Sequence, residues 1–131
     1  MNKTIEDIVS EVHNLLKKDG LTISTAESCT GGLLSHYLTY LPGSSSFFVA
    51  GVVTYSIEAK KKILRISDEV LSKHGVISSE TAKEMADKIR FITKTDYSLS
   101  TTGNLGPDVL EDKEKGLIYI AISKKDETLT R

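Results

Sequence analysis

Between Phe47 and Tyr55 the chain reads Phe-Phe-Val-Ala-Gly-Val-Val-Thr-Tyr, an almost unbroken apolar run. A run this short is a strand rather than a helix, and without polar alternation it is expected to be covered on both faces. That demands helical layers above and below a sheet, which a chain of 131 residues can supply once, as one domain.

The flanks supply those layers. Residues 4 to 19 place Ile5, Ile8, Val9, Val12, Leu15 and Leu16 at helical spacing, and Gly20 follows as a C-cap. Leu21–Thr25 is short and alternating, so it reads as a strand. A small-residue turn, Ala26-Glu27-Ser28-Cys29-Thr30-Gly31-Gly32, leads into a second helix carrying Leu33, Leu34, Tyr37, Leu38 and Leu41. Pro42-Gly43-Ser44-Ser45-Ser46 ends it. After the apolar run, Ser56 to Leu64 has helical character with Ser56 as N-cap, and Asp68–His74 forms a short helix stopped at Gly75. Ser78 caps a longer helix whose buried face is Ala82, Met85, Ala86, Ile89 and Ile92. Asp96–Thr101 and Leu117–Ser123 complete the strands, with a Gly-rich loop, Thr102 to Pro107, after the first of them. Alternating strands and helices imply a mixed, mostly parallel sheet between helical layers, a three-layer α/β/α sandwich.

Composition narrows the function classes. Seventeen basic and 18 acidic residues leave a net charge of -1, which argues against a chain built chiefly to hold nucleic acid. One cysteine, Cys29, can make no internal disulfide and no cysteine-based zinc site, and it fits a reducing compartment. Glu6 and Asp7 interrupt the stretch a signal peptide would need, and no run of about 18 apolar residues could span a membrane. The expected location is the cytoplasm.

Ligands of such sheets sit beyond the C-terminal strand ends. Ala26–Gly32, Thr54–Lys60 and Thr101–Pro107 should reach that edge. Ser28 lies between a strand and a helix, where it could serve as a nucleophile beside free backbone amides or merely cap the helix, the commoner use. Cys29 is a rival nucleophile or a small buried thiol. A serine needs a base. His13, His36 and His74 stand in no recognisable triad setting, and each reads more simply as a surface or structural histidine. Lys60, Lys61 and Lys62 form a solvated helix face, or one of them turns back to the strand edge near Tyr55 and loses charge by desolvation.

Thr25-Ala26-Glu27-Ser28-Cys29-Thr30-Gly31-Gly32 resembles the signature of the CinA C-terminal domain family. Pro42-Gly43-Ser44-Ser45, Gly51-Val52-Val53-Thr54-Tyr55-Ser56, Glu58-Ala59-Lys60, His74-Gly75-Val76-Ile77-Ser78, and Gly103 with Gly106-Pro107 resemble further family blocks in the same order. The resemblance implies an amidohydrolase that converts nicotinamide mononucleotide to the acid with release of ammonia. It implies Ser28 as nucleophile, Lys60 as base and Tyr55 as support for that dyad. Substrate would be bound by Glu27, Cys29, Thr30, Gly31, Gly32, Thr102, Gly103 and Gly106. A homodimer is implied, and no cofactor, metal or membrane is called for.

Three departures bear on that expectation. Ile57 stands where the family has asparagine. The second loop reads Asn104-Leu105-Gly106-Pro107 in place of Ile-Ala-Gly-Pro, and Asp108–Lys115 lacks the family's paired glycines. The chain ends at Arg131, before the family's Gly-Asp-Arg motif and final helix, so one sheet face is expected to be uncovered. The alternatives are therefore a CinA-like interaction module linked to competence or DNA damage, and an amidase of altered specificity.

Overall fold

β1 (Ile23–Glu27) is buried at all five positions, yet its sequence is Ile-Ser-Thr-Ala-Glu. A strand so polar can occupy the centre of a sheet only if every side chain finds a partner. Ser24 shares a hydrogen bond with Thr95 (2.9 Å), Thr25 with Ser35 (2.7 Å), and Glu27 accepts from Thr30, Leu34 and Ser35. The computed structural model describes residues 2–106 and 111–131.

The sheet order is β2-β1-β3-β4-β5, with β2 (Phe48–Val53), β3 (Tyr97–Gly103), β4 (Ile118–Lys124) and β5 (Glu127–Thr130). β1 pairs in parallel with β2 and β3, while β3–β4 and β4–β5 are antiparallel. The sheet is therefore parallel on its N-terminal side and antiparallel on the other. The apolar run expected to be covered on both faces is the edge strand β2, in which half-buried and exposed positions alternate. Apolar content alone misplaced it, because hydrogen bonding rather than hydrophobicity put β1 at the centre.

Helices cover both faces. On one lie α1 (Ile5–Asp19) and α2 (Leu33–Thr39), where Leu16 and Leu38 pack with Ile23 and Phe47. On the other lie α3 (Ile57–Lys62), α4 (Asp68–His74) and α5 (Ser79–Thr93), where Leu64, Met85 and Ile89 pack with Ala26. Small residues let α5 approach closely: Ala82 and Ala86 meet Ala121, and the Ser98 and Ser100 hydroxyls donate to the Ala86 and Ala82 carbonyls. Thr4 and Asp7 form a capping box on α1, and Gly20 closes it with φ 64. Beyond α1 the sheet is open, with Ile118, Ile120, Ile122 and Leu129 exposed. Among the described residues no helix is long and apolar enough to cross a membrane.

α1 departs from its expected face. Ile5, Ile8 and Leu15 are exposed, and His13 is buried instead. Its ring meets Phe47 edge-on at 4.5 Å, and neither nitrogen has a hydrogen-bond partner among the described residues. A buried polar group without a partner costs about 1–3 kcal/mol. His13→Leu is therefore expected to raise the thermal midpoint by roughly 3–8 °C in a melting experiment. A lowered midpoint would show that the ring contributes more through Phe47 than its nitrogens cost.

Candidate functional site

The parallel pairing of β1 and β2 brings their C-terminal ends side by side, and the ladder continues past β2 through Thr54 N to Glu27 O (2.9 Å). Alternation along β1 sends Ser24, Ala26 and Ser28 to the α5 side and Thr25 and Glu27 to the α2 side. Ser56 then starts α3, its hydroxyl accepting from Ala59 N (3.0 Å). One turn later, Lys60 points back under the strand ends.

Lys60 is fully buried, and its Nζ has three partners. It lies 2.8 Å from Ser28 Oγ, 2.7 Å from the Thr54 carbonyl and 3.0 Å from the Tyr55 carbonyl. Its neighbours turn outward, Lys61 to Asp68 (2.7 Å) and Lys62 to Glu58 (2.6 Å). Burial lowers the Lys60 pKa from 10.5 to about 8, although a charged Cys29 would oppose the shift. Once neutral, the amine keeps two N–H groups for the two carbonyls and presents its lone pair to Ser28 Oγ. That arrangement can accept a proton from the serine hydroxyl.

The turn after Ser28 needs its glycines for conformation, since Gly31 and Gly32 have φ 60 and 111. Gly31 N bonds Ser28 O and Ser28 N bonds Thr101 O, both at 3.1 Å. Among the described residues the amides of Thr30 and Gly32 have no acceptor, and the Cys29 amide meets only its own thiol. They are available to an anion or oxyanion. Burial pushes the Cys29 thiol upward, which holds this rival nucleophile in its unreactive protonated form.

Several expected site residues take other places. Tyr55 reaches Lys60 through its carbonyl, and the residue is 69% exposed. Glu27 is fully buried and accepts from the Leu34 and Ser35 amides, so it caps α2 from behind. Those helix amides are thereby closed to a ligand. Thr30 donates to Glu27 at 2.6 Å. Thr102 is fully buried and donates to the Val76 carbonyl at 2.8 Å. Gly103 lies where a Cβ would come within 2.8 Å of the Leu117 carbonyl, a demand of strand packing. Gly106 is a half-buried bend, and Pro107 lies outside the described residues. Asn104 is buried and donates to the Lys113 carbonyl (3.0 Å), which ties the second loop back on itself. Ile57 opens α3 half-exposed and brings no polar group to the dyad. The histidines stand apart from Ser28: His13 is in the core, His36 stacks near Tyr37 and Tyr40, and His74 lies 3.7 Å from Glu80.

Thr101 opens a segment expected at the ligand edge, but no role was expected of it. It faces the α2 side beside Tyr97 and Leu99, and its hydroxyl meets Thr30 (2.8 Å) and the Ser28 amide (3.3 Å). The period-2 alternation that separates Thr101 from Thr102 could have found it. The two carbonyl partners of Lys60 left no signal in side-chain chemistry.

A family model described as the CinA C-terminal domain matches residues 5–131. A relative from Caldanaerobacter subterraneus, named for competence-damage induction, is 46% identical over 127 residues. The match takes in 96% of this chain and 31% of the relative. A CinA-like protein of Chloroherpeton thalassium is 48% identical over 120 residues, 89% of this chain and 29% of its own length. The chain thus spans less than a third of these curated relatives. The crystal structure of a competence or damage-inducible protein from Enterobacter asburiae superposes with a TM-score of 0.96 at 36% identity. It covers 99% of this chain and 82% of that one.

Proposed function

The chain belongs to the CinA C-terminal domain family, and from that premise we propose that it hydrolyses the carboxamide of nicotinamide mononucleotide through a Ser28–Lys60 dyad. The observation that carries the reading is the buried Lys60 amine 2.8 Å from Ser28 Oγ, with a pKa lowered to about 8. Among the described residues Lys60 has no carboxylate partner; a lysine so buried is costly to keep, and proton transfer gives it a use.

The steps follow from that geometry. Neutral Lys60 takes the Ser28 proton as Oγ bonds to the carboxamide carbon. The carbonyl oxygen becomes an oxyanion stabilised by amides of the Cys29–Gly32 turn. Lys60 returns the proton to the carboxamide nitrogen, the C–N bond breaks, and ammonia leaves. Water then attacks the acyl carbon, giving its proton to Lys60. Ser28 Oγ departs and recovers that proton, so the sum is carboxamide plus water to carboxylic acid plus ammonia. The first of these transfers runs between atoms 2.8 Å apart, Ser28 Oγ and Lys60 Nζ.

The test is ammonia release from nicotinamide mononucleotide by the purified chain. Ser28→Ala is expected to lower it by about 10⁴-fold or more while circular dichroism stays unchanged. A folded wild-type protein that releases none would refute the substrate. Undiminished release by Ser28→Ala would refute the nucleophile.

A further inference from the structure

Glu27 and Ser28 are adjacent, and their side chains leave β1 on opposite faces. Four donors converge on the buried Glu27 carboxylate. Thr30 Oγ1 (2.6 Å) and Leu34 N (2.9 Å) reach one oxygen, while Ser35 N (3.0 Å) and Ser35 Oγ (2.8 Å) reach the other. Only an ionised carboxylate satisfies four donors. Burial pushes the group upward, but the bonds from Thr30, Ser35 and Leu34 outweigh it and hold the pKa below the ordinary value.

A carboxylate can only accept, so it sets the direction of the hydroxyl chain beside it. Thr30 gives its proton to Glu27 and must accept from Thr101, 2.8 Å away. Thr101 then has a lone pair left for the Ser28 amide at 3.3 Å. The chain runs Ser28 N–H to Thr101, to Thr30, to Glu27. It grips the Ser28–Gly32 turn from the face opposite Lys60.

We propose that Glu27 is a positioning residue that holds this turn through Thr30, so that its unpaired amides are set for the oxyanion formed at Ser28. The proposal rests on Ser28 being the nucleophile. Glu27 touches no substrate. Its side chain bonds none of the atoms around Lys60, so it acts on the oxyanion half of the site and leaves the base alone.

A fluorophosphonate tests this without the natural substrate. Ser28 Oγ bonds to phosphorus, fluoride leaves, the serine proton passes to Lys60, and the phosphoryl oxygen takes the oxyanion position. In Glu27→Gln the labelling rate constant is expected to fall roughly 10- to 100-fold. Its pH midpoint should remain that of the wild type, near 8. Glu27→Asp, which keeps the charge, should recover part of the rate. Thr30→Val spares three of the four carboxylate bonds and should slow labelling similarly, which decides the matter if Glu27→Gln does not fold. A purely structural role would lower the labelled fraction or the melting temperature and leave the rate constant of the folded fraction unchanged. Folded Glu27→Gln and Thr30→Val proteins that label within twofold of wild type would overturn the proposal alone. A wild type that resists labelling at Ser28 would overturn the nucleophile and this proposal with it.

Discussion

Lys60→Met is expected to lower turnover by about 10³- to 10⁴-fold and to shift the melting temperature by only a few degrees. The kinetic loss follows because Ser28 Oγ has no other base: its bonded neighbour among the described residues is Lys60 Nζ at 2.8 Å. The small stability change follows from two opposed effects. Holding the amine where its pKa falls from 10.5 to about 8 disfavours the folded state by roughly 3 kcal/mol at neutral pH. Methionine removes that cost but leaves the Thr54 and Tyr55 carbonyls without their donor, at about 1–3 kcal/mol for each buried group. Lys60→Arg gives the sharper comparison. It keeps a cation at every accessible pH and so cannot take the Ser28 proton. Steady-state ammonia release and thermal denaturation on the same samples check both halves. An arginine variant with more than about a tenth of wild-type turnover would contradict the role of a neutral amine.

The second large effect is on pH. Only neutral Lys60 can act as base, so the rate should climb about tenfold per pH unit below its pKa and level off above about 8. Between pH 6 and pH 9 the rise should reach roughly 90-fold. Stability should move in the same direction over a different window. The folded pKa lies below the unfolded one, so between about 8 and 10.5 the unfolded chain binds more protons. This group alone then adds up to roughly 3 kcal/mol of stability as pH rises through that window. Below about 8 its penalty is fully present in the folded state. A pH-rate profile at saturating substrate and denaturant titrations at pH 8 and 10 separate the two effects. A rate that is flat from pH 6 to pH 9 would show that no group titrating near 8 controls the chemistry.

Both effects hang on one side chain; residue chemistry left open that one of three lysines turns back to the strand edge, and motif resemblance alone singled out Lys60. Lys60-Lys61-Lys62 reads as a charged helix face, and two of the three are indeed salt-bridged at the surface. The Ser56 cap decides which lysine turns inward, because it sets where α3 begins and hence its phase. The helices were legible from caps and periodicity: Ser56 and Ser78 stand at the N-termini they were expected to mark, while Thr4, read as the first helical residue, is the cap of α1. The sheet order was harder to read. β1 is central because its hydroxyls and its glutamate find partners far along the chain, and such pairing leaves no local pattern. β2 is apolar and lies at the edge. β5, Glu127–Thr130, is too short and polar to announce itself, and it forms by antiparallel pairing with β4. Tyr55 and Thr102 carried expectations about side chains. The structure uses the carbonyl of the first and buries the hydroxyl of the second against Val76.

That Ser28 is a nucleophile activated by Lys60 is tested most directly by peptide mass spectrometry of samples acid-quenched during turnover of nicotinamide mononucleotide and then digested. The expected result is a mass increase of one substrate acyl group on the peptide containing Ser28, absent in Ser28→Ala and suppressed in Lys60→Met. Continued ammonia release by Ser28→Ala, with no acyl group on the wild-type Ser28 peptide, would contradict it.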